Sequence, residues 1–541
     1  MKKTILPFLF LIGFVVSGQT ESAWVYFTDK ENVSAALANP ISILSQAAID
    51  RKNLHGTPID VRDVPVNETY ISQIKNLPGI TVYAKSKWFN CVFVRGLQPD
   101  VEALENLTFV DHVEFADPQL NGVPRSSERS NAMNETHDKF EINTDFDYGQ
   151  ALNQVEMLHV DYLHEQGFTG EGILIAILDA GFPNVETNDG FDRMRNNGNL
   201  LDGYDFVDSN PNEFAFAGSS HGAKVLSCIT GFVTNDYAGT APDASAILFR
   251  TEDVESEMPI EMAYWVEAAE RADSLGVYVV NTSLGYNNFD NSNYSFQTSD
   301  MDGQTAFISK GANIAFEKGM LMVCSAGNSG NDAWEIITAP GDAPGAFTIG
   351  AVDPDGNYAA FSSRGPTADG RVKPDVVAQG APAAVITTFG NVSFSNGTSF
   401  SSPIMAGAIA SLWQADPSKT NAEIMQLVRE SSSQFENPDI FLGYGIPNFQ
   451  IALENLSMDK NILNNVVSIY PNPVENVLFV DFSKKKTTAN IEVFSLLGKR
   501  ILKSVVHKNK PEIDLSNLMS GIYLLKITSK ENSSTFKIVK K

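Results

Sequence analysis

The chain has 541 residues, 43% of them hydrophobic and 19% charged, an ordinary globular balance over a length too great for one core. Its 39 lysines and arginines stand against 65 aspartates and glutamates, a net charge of −26 with a pI near 4.6. That acidity argues against a nucleic-acid partner and favours solubility. No long block of like charge occurs, so the acids read as solvated faces spread along the chain.

Met1-Lys2-Lys3, the apolar run Ile5 to Val16 and the small pair Ser17-Gly18 read as a signal peptide over residues 1–18. The run is shorter than the ~20 residues a spanning helix needs, and no other stretch is a candidate span. Residues 23–118 predict a small α+β unit. Its strand-like runs are Ala23 to Phe27, Ile80 to Tyr83, Trp88 to Val94 and Val110 to Phe115. Helical patterns lie between them at Leu44 to Leu54, Tyr70 to Leu77 and Val101 to Leu107. Residues 119–147 follow as a polar linker without apolar periodicity, the kind of exposed segment where chains are cut.

From 148 to 455 short apolar runs alternate with helical segments. The runs are Ile173–Leu178, Ala246–Phe249, Val277–Val280, Met320–Cys324, Ala346–Val352 and Val376–Ala378. The helical segments include Ile260 to Ser274 and Gly303 to Lys318. This alternation predicts an α/β domain, a parallel sheet with helices on both faces. Residues 466–541 return to short strands and turns, with the spacing of a small β-sandwich. The three cysteines, Cys91, Cys228 and Cys324, make no disulfide framework. Cys228 and Cys324 are either a pair or two buried thiols.

Four residues carry chemistry. Asp179 ends the first buried run of the central segment, at the sheet edge where open α/β folds place ligands; alone it also fits an acid capping the next turn. His221 stands between Ser219-Ser220 and Gly222 at a plausible helix start, although a lone histidine is more often structural. Asn328 lies in the glycine turn Ser325 to Gly330, where a side-chain amide can donate to an oxyanion or simply fit the turn. Ser399, in Gly397-Thr398-Ser399, lies between a glycine turn and a helix. It reads as a nucleophile in a helix-terminal field or as an N-cap. Together they supply nucleophile, base, orienting carboxylate and oxyanion donor in one α/β segment.

Residues 148–455 resemble the subtilases, the subtilisin-like serine peptidases. The matching motifs are Asp179-Ala180-Gly181, His221-Gly222, Asn281-Thr282-Ser283-Leu284-Gly285, Ala326-Gly327-Asn328, Phe361 to Pro366 and Gly397-Thr398-Ser399, in the family's Asp, His, Ser order. The resemblance implies Ser399 as nucleophile, His221 as general base and then acid, Asp179 as its orienter, and Asn328 with the Ser399 N–H as the oxyanion hole. It assigns substrate contact to Ser283, Leu284, Gly285, Ser325, Ala326 and Gly327, with Thr338 near the floor of the pocket. Ala180 and Ala223 depart from the family's small hydroxylated residues, and the insert Tyr286 to Gly303 is expected to rim the cleft.

The leading unit resembles the ferredoxin-like pro-segments of secreted subtilases, which assist folding and block the cleft. The tail resembles the sorting domains of the type IX secretion system, through Tyr470-Pro471-Asn472-Pro473, Gly521-Ile522-Tyr523 and the basic end Lys537 to Lys541. The expectation is a secreted or cell-surface serine endopeptidase that passes through the periplasm. It is made as a zymogen, cuts through an acyl-enzyme and has broad specificity. Its partners are protein or peptide substrates, its own pro-segment and the secretion machinery.

The alternatives are narrower. Gly218 to Gly222 fits the G-x-S-x-G elbow of α/β-hydrolases, but that class needs an acid and then a histidine downstream. Beyond His221 only His507 remains, in the tail, so the elbow fails. A catalytically silent binding protein on the same scaffold is the other alternative. No His-Glu-x-x-His helix or paired-cysteine set points to a catalytic metal, and no cofactor is expected. Asp300-Met301-Asp302-Gly303 leaves calcium open, though two carboxylates do not make an oxygen cage.

Overall fold

The computed structural model describes residues 19–121, 146–209, 215–464, 467–482, 488–495, 500–507, 511–519, 521–528 and 533–541. The signal peptide and most of the linker therefore lie outside the described residues. Among those described, no helix is long and apolar enough to cross a membrane.

The leading unit runs β1 (Thr20–Phe27), α1 (Val33–Ala38), α2 (Gln46–His55), α3 (Glu68–Lys75), β2 (Ile80–Ser86), β3 (Cys91–Leu97), α4 (Gln98–Glu102) and β4 (Val110–Phe115). Its four strands form a sheet in the order β2-β3-β1-β4, with β1 antiparallel to both neighbours. The third strand starts three residues later than the apolar run suggests. Lys87 and Trp88 give their N–H groups, each at 2.9 Å, to the buried carboxylate of Glu270, so strand pairing begins only at Cys91.

The central domain continues with α5 (Leu152–Glu156), α6 (Val160–Glu165), β5 (Leu174–Asp179), α7 (Asp192–Asn196), β6 (Leu200–Asp205) and α8 (His221–Thr230). The short pair β7 (Phe232–Val233) and β8 (Tyr237–Ala238) precedes β9 (Ser245–Arg250), α9 (Ile260–Leu275), β10 (Val279–Thr282), α10 (Phe307–Glu317) and β11 (Leu321–Ser325). Then come β12 (Ala346–Val352), β13 (Val376–Gln379), the hairpin β14 (Ala383–Ile386) and β15 (Val392–Ser395), α11 (Thr398–Ala415), α12 (Asn421–Glu430) and α13 (Phe449–Asn464). Seven strands form one parallel sheet in the order β13-β12-β11-β10-β5-β9-β6.

The sheet is covered on both faces, and the side-chain alternation of a strand shows it. On β10, Val280 joins the core beneath α9 and α10, whereas Asn281 turns the other way and accepts from Ser402 of α11 at 3.0 Å. Trp265 of α9 is fully buried, and its indole N–H reaches Thr282 at 3.0 Å, so the ring is buried without an orphaned donor. Helix α10 begins later than its pattern predicts, because Asp302 Oδ1 takes the N–H groups of Gln304 and Thr305 at 2.7 Å into a separate turn.

The leading unit's sheet lies on α9 and α10. Trp24 stacks on Phe307 with ring centroids 4.7 Å apart, and Trp88, Phe93 and Trp265 share that core. The insert from Tyr286 to Gly303 does not stand free at a rim. Tyr286, Phe289 and Tyr294 are buried in the same core, and Tyr294 donates to Glu21 of the leading unit at 3.0 Å. All three cysteines are buried free thiols. Burial pushes Cys228 and Cys324 up to about 12.

In the tail, β16 (Val467–Tyr470), β17 (Val477–Phe482) and β20 (Glu512–Asp514) make one antiparallel sheet. The strands β18 (Thr488–Ser495), β19 (Arg500–His507), β21 (Gly521–Thr528) and β22 (Ser533–Lys540) make the other, in the order β19-β18-β21-β22. Leu478, Val480 and Ile513 from the first meet Ile491, Val493, Leu525 and Ile527 from the second, which makes a β-sandwich.

Charges are buried where the leading unit meets the central domain. Arg51 and Lys52 reach Asp273 at 2.6 and 2.8 Å, and Lys318 reaches Asp63 at 2.7 Å, all with side chains at most 1% exposed. Removing one partner of such a group leaves an uncompensated buried charge, at a cost of about 3–5 kcal/mol. Asp273→Ala should therefore loosen this contact. Once an added protease has cut the segment between the two parts, size-exclusion chromatography should show residues 19–121 dissociating from the variant more readily than from the wild type. Equal retention would contradict the assignment.

Candidate active site

The carboxyl edge of the parallel sheet gathers the four candidate residues. Asp179 is the last residue of β5 and has no exposed surface. Its Oδ1 accepts the Ala180 N–H at 2.7 Å and lies 2.8 Å from His221 Nδ1. A carboxylate at that nitrogen keeps the proton on Nδ1 and leaves Nε2 as the basic lone pair. His221 opens α8, and its own N–H is held by Ser219 Oγ at 3.3 Å. Gly222 is required by close approach: a Cβ there would stand 2.4 Å from the Gly181 oxygen and 2.9 Å from the Asp179 Cβ.

Two opposing effects act on the imidazole. Burial lowers its pKa, whereas the charge of Asp179 and its hydrogen bond raise it. Lys224 adds a smaller lowering, and the net result is above the ordinary 6.5.

Ser399 is the second residue of α11, at the helix end where backbone N–H groups favour negative charge. Its backbone and side chain are tied to Ser283 by a reciprocal pair. Ser283 Oγ donates to the Ser399 carbonyl at 2.8 Å, and Ser399 Oγ donates to the Ser283 carbonyl at 3.3 Å. Behind them Asn281 Nδ2 donates to Ser283 Oγ at 3.1 Å, while Ser402 Oγ donates to Asn281 Oδ1. The motif Asn281-Thr282-Ser283 thus fastens the end of β10 to the start of α11. That role depends on contacts more than a hundred residues apart in the chain.

Asn328 is oriented by a residue whose part the sequence reading missed. Thr398 donates to Asn328 Oδ1 from its N–H at 2.9 Å and from its hydroxyl at 3.0 Å, and its Oγ1 accepts the Gly327 N–H at 3.2 Å. With the carbonyl side of the amide so engaged, Nδ2 faces the start of α11, 3.6 Å from where a Cβ on Gly397 would be. The signal was present as a hydroxyl beside Ser399, but the motif alone does not say what it touches.

The segments Ser283 to Gly285 and Ser325 to Gly327 run side by side, with Ser325 Oγ donating to the Leu284 carbonyl at 3.4 Å. Thr338 sits between them. A Cβ on Gly285 would lie 2.2 Å from Thr338 Oγ1, and one on Gly327 would lie 3.0 Å from it. The hydroxyl is buried and has no hydrogen-bond partner among the described residues. Glu335, the nearest acid in sequence, is engaged by Arg364 at 2.5 Å.

Asp300 and Asp302 do not converge on a cation position. Each carboxylate takes backbone N–H groups of its own turn, at 2.7 Å. Among the described residues the acids that do converge are Glu252, Glu257 and Glu261, beyond the end of β9, with carboxylate oxygens within 4.8 Å of one another. Glu252 also accepts the Tyr286 hydroxyl. Burial pushes all three upward, Glu257 to about 6 and Glu261 to about 8.

The Asp179–His221 pair gives a measurable linkage. A histidine held above its unfolded value contributes stability that is fully present below about pH 6.5 and is lost as pH rises through the folded pKa. Asp179→Asn removes the charge responsible, so burial and Lys224 then dominate and the pKa should fall. Imidazole NMR titration of the two proteins would show it, and an unmoved titration would contradict the geometry.

Comparison with known proteins identifies the family. The family model for the subtilase family matches residues 170–445, the peptidase S8 propeptide domain of Bacteroidota matches residues 22–135, and a secretion system C-terminal sorting domain matches residues 468–541. Subtilisin E of Bacillus subtilis (strain 168) is 27% identical over 311 residues, covering 57% of this chain and 73% of that protein. Subtilisin of Bacillus pumilus is 27% identical over 302 residues, covering 56% of this chain and 98% of that protein. Among solved structures, MycP1 from Mycobacterium smegmatis matches with a TM-score of 0.44 at 20% identity, over 59% of this chain and 89% of that one. The chain belongs to the subtilase family: it is a serine-type endopeptidase that carries its own propeptide and a secretion-system sorting domain.

Proposed function

We propose that Ser399, His221 and Asp179 cut peptide bonds through an acyl-enzyme, with Asn328 stabilising the oxyanion. The observation that carries this reading is the Asp179–His221 contact at 2.8 Å, in the same site as Ser399 and an Asn328 already oriented by Thr398. Ser399 Oγ attacks the carbonyl carbon as its proton passes to His221 Nε2. The carbonyl oxygen, now negative, takes hydrogen bonds from Asn328 Nδ2 and the Ser399 N–H. His221 then gives the proton to the departing amine, the C–N bond breaks, and the acyl group stays on Ser399 until water repeats the sequence. Asp179, hydrogen-bonded to Nδ1, orients the ring and stabilises the imidazolium. In the structure the Ser399 hydroxyl points at the Ser283 carbonyl, so substrate binding must redirect it to His221.

Ser399→Ala in the matured protein should lower kcat by about 10^4–10^6-fold with the fold intact, and Asn328→Ala by about 10^2–10^3-fold. Casein hydrolysis by a folded Ser399→Ala protein at the wild-type rate would refute the assignment and favour a silent scaffold.

The leading unit, lying on α9 and α10, is proposed to hold the enzyme silent until the chain is cut between it and the central domain. The tail is proposed to carry the protein over the outer membrane by the type IX route once the signal peptide has brought it to the periplasm. For specificity, the position of Thr338 argues for a narrow pocket. Its hydroxyl fills the space between Gly285 and Gly327, which supports a shallow neutral pocket that favours small side chains before the scissile bond. Glu335, the nearest acid in sequence, is held by Arg364, which disfavours a basic residue there. Thr338→Gly should raise kcat/KM for peptides with leucine or phenylalanine at that position by about tenfold or more. A peptide-library profile identical to the wild type, or one dominated by arginine or lysine, would overturn this reading.

A further inference from the structure

The hairpin β14–β15 runs directly into the nucleophile motif, with only Asn396 and Gly397 between Ser395 and the start of α11. It carries two exposed phenylalanines. Phe389, at its tip, is 85% exposed, and Phe394 is 54% exposed, beside a catalytic domain whose other aromatic side chains are mostly buried. The hairpin is pinned from several sides. Asn188 and Asn184 donate to the Thr387 and Thr388 carbonyls at 2.8 and 3.2 Å, from the loop that follows Asp179. Ser227 of α8 accepts the Ile386 N–H at 2.9 Å, and Gln154 accepts the Ala384 N–H at 2.8 Å. An apolar tip kept in water by a backbone this well tied is a placed surface rather than a loose loop.

Its side of the cleft follows from the chemistry. This inference rests on the proposed roles of Ser399 and His221. The acyl half of the substrate lies along Ser283 to Gly285 and Ser325 to Gly327. The amine half leaves past the imidazole that protonates it. His221 opens α8, and the hairpin packs along that helix, on the loop that follows Asp179. β15 also leads through Asn396 and Gly397 into α11, so the hairpin joins the catalytic centre along the chain itself.

We propose that Phe389 and Phe394 bind apolar side chains of the substrate on the carboxyl side of the scissile bond. The pair then selects for the leaving half of the peptide and has no part in bond breaking, which separates it from the residues that hold the acyl half.

The test compares matured wild type with Phe389→Ser/Phe394→Ser on three substrates that share one acyl half. One is an acyl-arylamide with no residue after the scissile bond. The others are quenched-fluorescence peptides that continue with Leu-Phe or with Ser-Gly. Wild type should prefer the Leu-Phe peptide by about tenfold or more in kcat/KM, and the double variant should lose that preference while cleaving the arylamide at the wild-type rate. Phe389→Leu, which keeps an apolar tip, should retain most of the preference. An unchanged peptide ratio in the double variant would overturn the proposal, and so would loss of arylamide cleavage, which would make the hairpin a support for the nucleophile. Failure of wild type to cleave the arylamide would instead strike at the proposed mechanism, and at this inference with it.

Discussion

A buried carboxyl group needs hydrogen-bond partners in place of water, and Asp179 has two: a backbone N–H and an imidazole. The rest of the site is arranged around that constraint. The parallel sheet delivers Asp179 to its carboxyl edge, α8 must begin at the partner histidine, and Gly222 must lack a side chain for the helix to approach. The remaining oxygen, Oδ2, has no hydrogen-bond partner among the described residues. Asp179 is thus held on one side only, and His221 carries a large share of its stabilisation.

The oxyanion side is fixed by a different device. Thr398 aligns the Asn328 amide, and Ser283 exchanges hydrogen bonds with Ser399, so a strand end, a glycine turn and a helix start are laced by short polar side chains. The leading unit makes no such fine adjustment. It lays aromatic rings on α9 and α10 and buries charges at the seam. Buried ion pairs contribute little net stability, yet a misplaced α2 would leave Arg51 or Lys52 in the interior without an acid. The penalty falls on wrong docking.

What the sequence disclosed follows burial. Strands covered on both faces, such as Leu174–Asp179 and Ala346–Val352, are continuous apolar runs and could be found at once. The edge strand Leu200–Asp205 carries two aspartates and a glycine, so it leaves no such run. Arg51 and Lys52 look like the solvated face of a helix, because nothing nearby in sequence announces an acid two hundred residues later. The acid, imidazole, amide and hydroxyl could be named because their glycine neighbours form compact motifs. The orientation of Asn328 by Thr398, and the close approach of Thr338 to Gly285 and Gly327, could not. Both depend on where distant turns meet, and neither residue type is unusual in its local setting.

The buried thiols have a consequence for where the enzyme can work. Thiol–disulfide exchange and oxidation proceed through the thiolate. With Cys228 and Cys324 held near 12, almost none forms at neutral pH. Once folded, the catalytic domain needs no oxidising compartment to hold its shape. It has no disulfide among the described residues for a reductant to open, and these two thiols give an oxidant almost no thiolate to attack.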